Sequence, residues 1–224
     1  MQSLPRKLLF AGTTLALIVM GFMIVKNAKT KSLSQQPQEQ DSLVAAVRRG
    51  GLREAARIKG QYVGTERTSG LMKYDLESLT EKSSIIVVGT PFTSSSSLSS
   101  SGERIVTEYK LRIDQTLKGK LKHGPLSVIV PGGKVTFDDG TSAEINTPDL
   151  GPIEEEKRYV LFLTPSDEVS DSFALLGGGQ GIFELSSSDS VVKPLGDKVD
   201  VVQKHKNQQA SSFLEEIKAA AKKF

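Results

Sequence analysis

The chain has 224 residues and 24.2 kDa, 38% hydrophobic and 25% charged, with a formal net charge of +3, which fits one globular domain and a smaller accessory part. Cys and Trp are absent and His occurs only at His123 and His205, so thiol nucleophiles, disulfides, Cys-ligated zinc and multi-His metal sites are excluded by inventory. The positive charge is uneven: residues 1–60 carry a net +7 and residues 61–224 a net −4, so the basicity belongs to the N-terminal part and nucleic-acid binding by the rest is disfavoured.

Leu8 to Val25 is a run of 18 residues without a charge, and as a helix it would span roughly 27 Å, close to the thickness of a bilayer's hydrocarbon core. Arg6 and Lys7 precede it like a secretory n-region, but Lys26-Asn27-Ala28-Lys29 is a poor cleavage site. An uncleaved signal anchor is therefore favoured over a cleaved signal peptide, with a buried core helix last. The flanking lysines and arginines balance, so the charge count leaves orientation a tie, and an amino terminus on the inside is preferred on its short tail ending in Arg6-Lys7 and on the resemblance given below. Residues 1–30 are read as the anchor.

Residues 31–83 are read as a stalk with short helices. Lys31 to Gln40 is polar and Gln/Ser-rich, as suits a flexible linker. Leu43 to Arg49 and Leu52 to Lys59 have helical periodicity interrupted at Gly50-Gly51, and Asp75 to Glu81 forms another short helix capped by Asp75.

From Ser84 the period becomes that of strands. Ile105, Thr107, Tyr109, Leu111 and Ile113 alternate with charged residues in a half-buried strand. Ile85 to Val88, Leu126 to Val130 and Tyr159 to Leu163 are apolar on both faces, as central strands are. Val135 to Phe137 and Ala143 to Ile145 flank the hairpin signal Asp138-Asp139-Gly140-Thr141. Shorter strands follow at Phe173 to Leu176, Ile182 to Leu185 and Ser190 to Val192. Residues 84–196 are thus a closed or sandwiched all-β domain, read as the β-barrel domain on the resemblance given below. Residues 197–224 are a polar connector and a C-terminal amphipathic helix, with a capping box at Ser212 and an apolar stripe of Phe213, Leu214, Ile217, Ala221 and Phe224.

Motifs of chemistry are sparse. Gly177-Gly178-Gly179-Gln180-Gly181 matches no phosphate-binding spacing and leads into a strand, so a bulge or sharp turn is expected. Pro131-Gly132-Gly133 reads as a corner. Asp138, Asp139, Asp149 and Glu154 to Glu156 show no calcium-loop spacing. Ser94 to Ser101 holds seven serines in eight positions without a nucleophile elbow and reads as a flexible loop. Neither histidine has a visible partner. No catalytic, cofactor or metal residues are assigned.

Leu76-Glu77-Ser78-Leu79 before Ser84 to Thr90, Thr107 to Leu111 with Leu117-Lys118-Gly119, Pro131-Gly132-Gly133, Tyr159 to Leu163 and Gly178 to Phe183 occur in an order that resembles a bacterial exported domain of largely unassigned function. More distantly the order is similar to netrin modules and tissue inhibitors of metalloproteinases. The resemblance implies a closed or partly open OB-like antiparallel barrel and export. It does not imply inhibition, because such inhibitors chelate zinc through an N-terminal Cys. The expectation is a mainly β, membrane-anchored, extracytoplasmic binding module without catalytic activity or cofactor, held in the membrane by residues 8–25 and engaging an envelope protein. Its binding loops are expected at Ser94, Ser97, Asp138, Asp139, Asp149 and Gln180. The alternatives are a metal-dependent hydrolase using carboxylates and a netrin-like protease inhibitor.

Overall fold

The computed structural model describes residues 36–68, 72–121, 124–186, 190–196 and 200–224. The apolar run at 8–25 lies outside them, as does His123. Among the described residues no helix is long and apolar enough to cross a membrane.

Helix α1 (Gln36–Lys59) begins inside the segment expected as stalk, because Gln, Glu and Ala prolong the same helical pattern. Gly50-Gly51 breaks it as expected, with Gly51 at φ 72 and ψ −167. The break docks the helix: the Leu52 amide donates to the Gly102 carbonyl at 2.8 Å. Strand β1 (Gln61–Thr65) had no clear sequence signal. Its partner strand is some eighty residues away in the chain.

Helix α2 (Leu76–Lys82) starts after the expected Asp75 cap, which forms a capping box with Ser78. The Ser78 amide donates to the Asp75 carboxylate at 2.8 Å, and the Asp75 amide donates to Ser78 Oγ at 3.0 Å. The Ser78 hydroxyl and amide hold the Asp75 carboxyl below its ordinary value. A carboxylate with a depressed folded pKa adds stability above its unfolded pKa and loses it as pH falls through the folded one. Asp75→Ala is therefore expected to cost about 1 kcal/mol at neutral pH. Urea titrations of both proteins should converge as the pH drops below the ordinary carboxylate range.

The strands β2 (Ile85–Leu98), β3 (Ile105–Lys118), β4 (Leu126–Pro131), β5 (Gly133–Thr136), β6 (Ser142–Asn146), β7 (Tyr159–Pro165), β8 (Phe173–Leu175), β9 (Ile182–Leu185) and β10 (Val192–Pro194) form two sheets. In the smaller sheet β6 lies between β1, to which it is parallel, and β5, with which it makes the expected hairpin. In the larger the order is β10-β9-β7-β2-β3-β4-β8, and β8 also pairs with β7. Strand β7 gives one edge to β2 and shares the other between β9 and β8. Pairing thus passes from β7 through β2, β3, β4 and β8 back to β7. The last links are short: Val128 with Phe173 and Ile129 with Ala174, in parallel, and Leu163 to Pro165 against β8.

The serine tract is not a loop. Ser94 to Ser97 pair with Tyr109 to Val106 as the second half of β2, and the turn is displaced to residues 99–104. Ladder hydrogen bonds come from the backbone, so a poor strand-forming composition is overridden by a well-formed partner strand. The bond between Ser96 Oγ and Thr107 Oγ1 at 2.9 Å adds to it.

Alternation places the core on both sides of the central strands. Ile85 and Val87 join Leu111, Val128, Val130 and Leu161 in one cluster. Ile86 and Val88 join Phe162, Phe183, Leu79, Phe213 and Ile217 in another. The second cluster is covered by α2, α3 (Asp200–His205) and α4 (Ala210–Ala221). Helix α3 replaces the expected polar connector: it buries Val201, Val202 and His205. Helix α4 starts at Ala210 with no side-chain cap, rather than at a Ser212 box, because the Ala210 amide is already bound to the Ser190 carbonyl at 2.8 Å. Its stripe is buried at Phe213 and Ile217, and Phe224 remains exposed.

Candidate functional site

The residues expected to form binding loops do not come together. Ser94 is exposed on β2 and donates to Glu155 Oε1 at 2.9 Å; Ser97 is exposed further along the strand. Asp138 and Asp139, in the β5–β6 turn, face α1, where they pair with Arg53 at 2.9 Å and Arg57 at 3.1 Å. Hydrogen bonds from the Thr141 hydroxyl and amide, and then from Arg57, hold the Asp139 carboxyl down to about 2. These aspartates fasten the smaller sheet to α1.

Asp149 and Gln180 are corrections of a different kind, since they are 1% and 2% exposed. The Asp149 carboxylate accepts from the Thr68 amide at 2.9 Å. Gln180 Oε1 accepts from the Tyr74 amide at 3.1 Å, and its Nε2 donates to the Met72 carbonyl at 3.0 Å. Both side chains tie the chain leading into α2 to the body of the domain. Buried polar groups satisfied in this way hold backbone in place, and they are withdrawn from any partner. The glycine run around Gln180 is a 3₁₀ turn over Gly178–Gly181. It passes so close to other backbone that no side chain fits: a Cβ on Gly179 would lie 2.5 Å from the Asp149 carbonyl oxygen.

The site-like feature lies where sequence reading placed ordinary strand residues. A cleft of about 620 Å³ opens between the start of β2, the β3–β4 connection and the loop joining β7 to β8. This volume is within the range of small-molecule sites, about 300–1,000 Å³. Its apolar wall includes Ile85, Leu121, Leu126, Pro165 and Phe173, and its polar groups are Lys120, Ser127, Ser166, Asp171 and Ser172. A shallower groove of about 460 Å³, bordered by Phe92 and Ile113, adjoins it through Gly124 and Pro125.

One lining residue, Ser127, belongs to a polar cluster on the strands beside the cleft. Ser127 on β4 stands opposite Lys110 on β3, so both point to one face of the sheet. Lys110 Nζ donates to Ser127 Oγ at 2.7 Å, and Lys110 and Ser127 both donate to Glu108 Oε1 at 2.5 Å. Lys110 first, and then Ser127, hold the Glu108 carboxyl below its ordinary value. Across the cleft Ser172 Oγ donates to the Val169 carbonyl at 2.5 Å, and the Ser166 amide donates to the Ser172 carbonyl at 3.0 Å. This loop is closed on itself by short bonds. The cleft itself offers the hydroxyls of Ser127, Ser166 and Ser172, the Lys120 ammonium and the Asp171 carboxylate around an apolar floor, which is chemistry for recognition.

Among the described residues no group of three His, Cys, Asp or Glu side chains is placed to hold a metal. Glu154 pairs with Lys157 at 2.7 Å and Glu156 with Arg112 at 3.7 Å. His205, expected in an open connector, is 1% exposed: its Nδ1 lies 2.6 Å from Gln208 Oε1 and its ring packs on Phe213. No sequence signal marks the cleft, because its lining comes from four separated segments whose residues are individually ordinary. No protein-family profile matches the chain, and no curated protein matches it significantly in sequence.

Proposed function

We propose that the chain is a membrane-anchored, extracytoplasmic binding module on an OB-like barrel, taking its ligand or partner segment in the 620 Å³ cleft. The observation carrying this reading is the cleft itself, an apolar floor rimmed by few polar groups, as in small-ligand sites generally. The pairing circuit of β2, β3, β4, β8 and β7, with one parallel pair, supports a five-stranded Greek-key barrel. In such barrels the loop between the fourth and fifth strands contributes to binding, and here that loop lines the cleft. The uncharged run at 8–25 supports the anchor.

Photo-crosslinking in native membranes tests the reading. A benzophenone amino acid at Lys120, on the cleft rim, is expected to give a discrete adduct. Ser166→Trp, which fills the cleft, should abolish it, while a probe at Asp138 should give neither the adduct nor any response to Ser166→Trp. The same adduct from both positions would overturn the assignment of the cleft.

A further inference from the structure

One arginine reaches the cleft wall from outside. Arg104 closes the β2–β3 turn, where the Ser99 amide donates to its carbonyl at 2.9 Å and its own amide donates to Ser99 Oγ at 3.2 Å. Its guanidinium faces two carboxylates from distant parts of the chain. Nε donates to Glu66 Oε1 at 3.0 Å, with Nη2 on the same oxygen, and Nη1 donates to Glu168 Oε1 at 2.5 Å. Glu66 follows β1, and Glu168 lies in the β7–β8 loop whose Ser166, Asp171 and Ser172 form one side of the cleft.

We propose that Arg104 is a latch that sets the position of the cleft wall by holding Glu168, and that releasing this ion pair loosens the β7–β8 loop. The planar fork of arginine suits the task, since it can serve two carboxylates at once while a lysine is a single point charge. Glu66 keeps the guanidinium aimed. The side chains of Arg104, Glu66 and Glu168 are 41%, 27% and 32% exposed, so the latch is open to screening by salt and to competition by an arriving charge. Bonds internal to the loop, from Ser166 to Ser172, Glu168 to Ser166 and Ser172 to Val169, fix its shape. The importance of the latch rests on the cleft being the binding site, but the latch can be read on the free protein.

Amide hydrogen exchange of the full chain in detergent is the test. In Arg104→Gln and in Glu168→Gln the amides of residues 166–171 are expected to exchange about two- to fivefold faster, the size set by one exposed ion pair. The double variant should be no faster than either single one, because both remove the same interaction. Raising salt should accelerate the loop in the wild type and leave Arg104→Gln unchanged, and the Gly140 amide, remote in the β5–β6 turn, should not respond. Loop exchange equal to wild type in Glu168→Gln, which spares the Arg104–Glu66 pair and the turn, would overturn the latch. So would additive effects in the double variant. Crosslinking from Lys120 reports on the cleft separately: a working latch without an adduct would defeat the binding reading alone.

Discussion

Gly178→Ala is expected to destabilise the protein by about 3 kcal/mol, the sum of left-handed backbone strain of roughly 1–2 kcal/mol and overpacking of roughly 1–3 kcal/mol. Gly178 has φ 59, and an added Cβ would fall on the Thr68 carbonyl. Neither party can give way easily. Thr68 is held by Asp149 through its amide, and its Oγ1 accepts from the Gly179 amide at 3.3 Å. The midpoint of urea unfolding should fall by about 1 M, given an m-value of roughly 2–3 kcal/mol/M. Gly140→Ala is the matched comparison: its φ is 80, yet nothing lies within 4 Å of the new Cβ. It carries the strain without the collision and should lose only the smaller part. Equal losses in the two variants would mean that the glycine run is there for its backbone angle and not for the close passage of chains.

That comparison also explains why some features were legible in the sequence and others were not. Local signals held where the partner is nearby: Asp75 caps Ser78 three residues on, and Asp138-Asp139-Gly140 turns one strand onto the next. The apolar runs of β2 and β7 also read correctly as central strands, since Ile85 and Val87 enter one core while Ile86 and Val88 enter the other. What failed depends on distant partners. Asp149 and Gln180 look like surface loop residues until their partners, 81 and 106 residues away, are in place. Ser94 to Ser97 become strand because β3 offers them a ladder. His205 is buried because Phe213 lies against it. The cleft is the extreme case. Ile85, Ser127, Ser166 and Phe173 acquire meaning only when four segments meet.

Phe213→Ala is expected to cost about 3–5 kcal/mol, the range for deleting a fully buried phenylalanine. At roughly 2–4 °C per kcal/mol for a chain of this size, that lowers the melting temperature by about 10 °C. The ring sits 4.9 Å from Phe183, which lies 6.0 Å from Phe162 on β7, so it joins α4 to the sheet through a continuous aromatic stack. It also packs on His205 of α3, 5.2 Å away. Removing it separates both helices from the same hydrophobic surface. Helix α4 has 12 residues, too few for stability in isolation, so once undocked it should melt rather than persist as a free helix. Circular dichroism at 222 nm would then show helix loss at a lower temperature than the unfolding of the sheet. Phe224→Ala is the contrast, because that ring is 56% exposed and lies near Lys118 rather than in the core. It should shift melting very little. If Phe213→Ala behaved like Phe224→Ala, α4 would be an appendage and the second face of β2 and β7 would need another cover. The burial of Val88, Val160 and Phe183 at 0% exposure gives that cover to α4 and its neighbours.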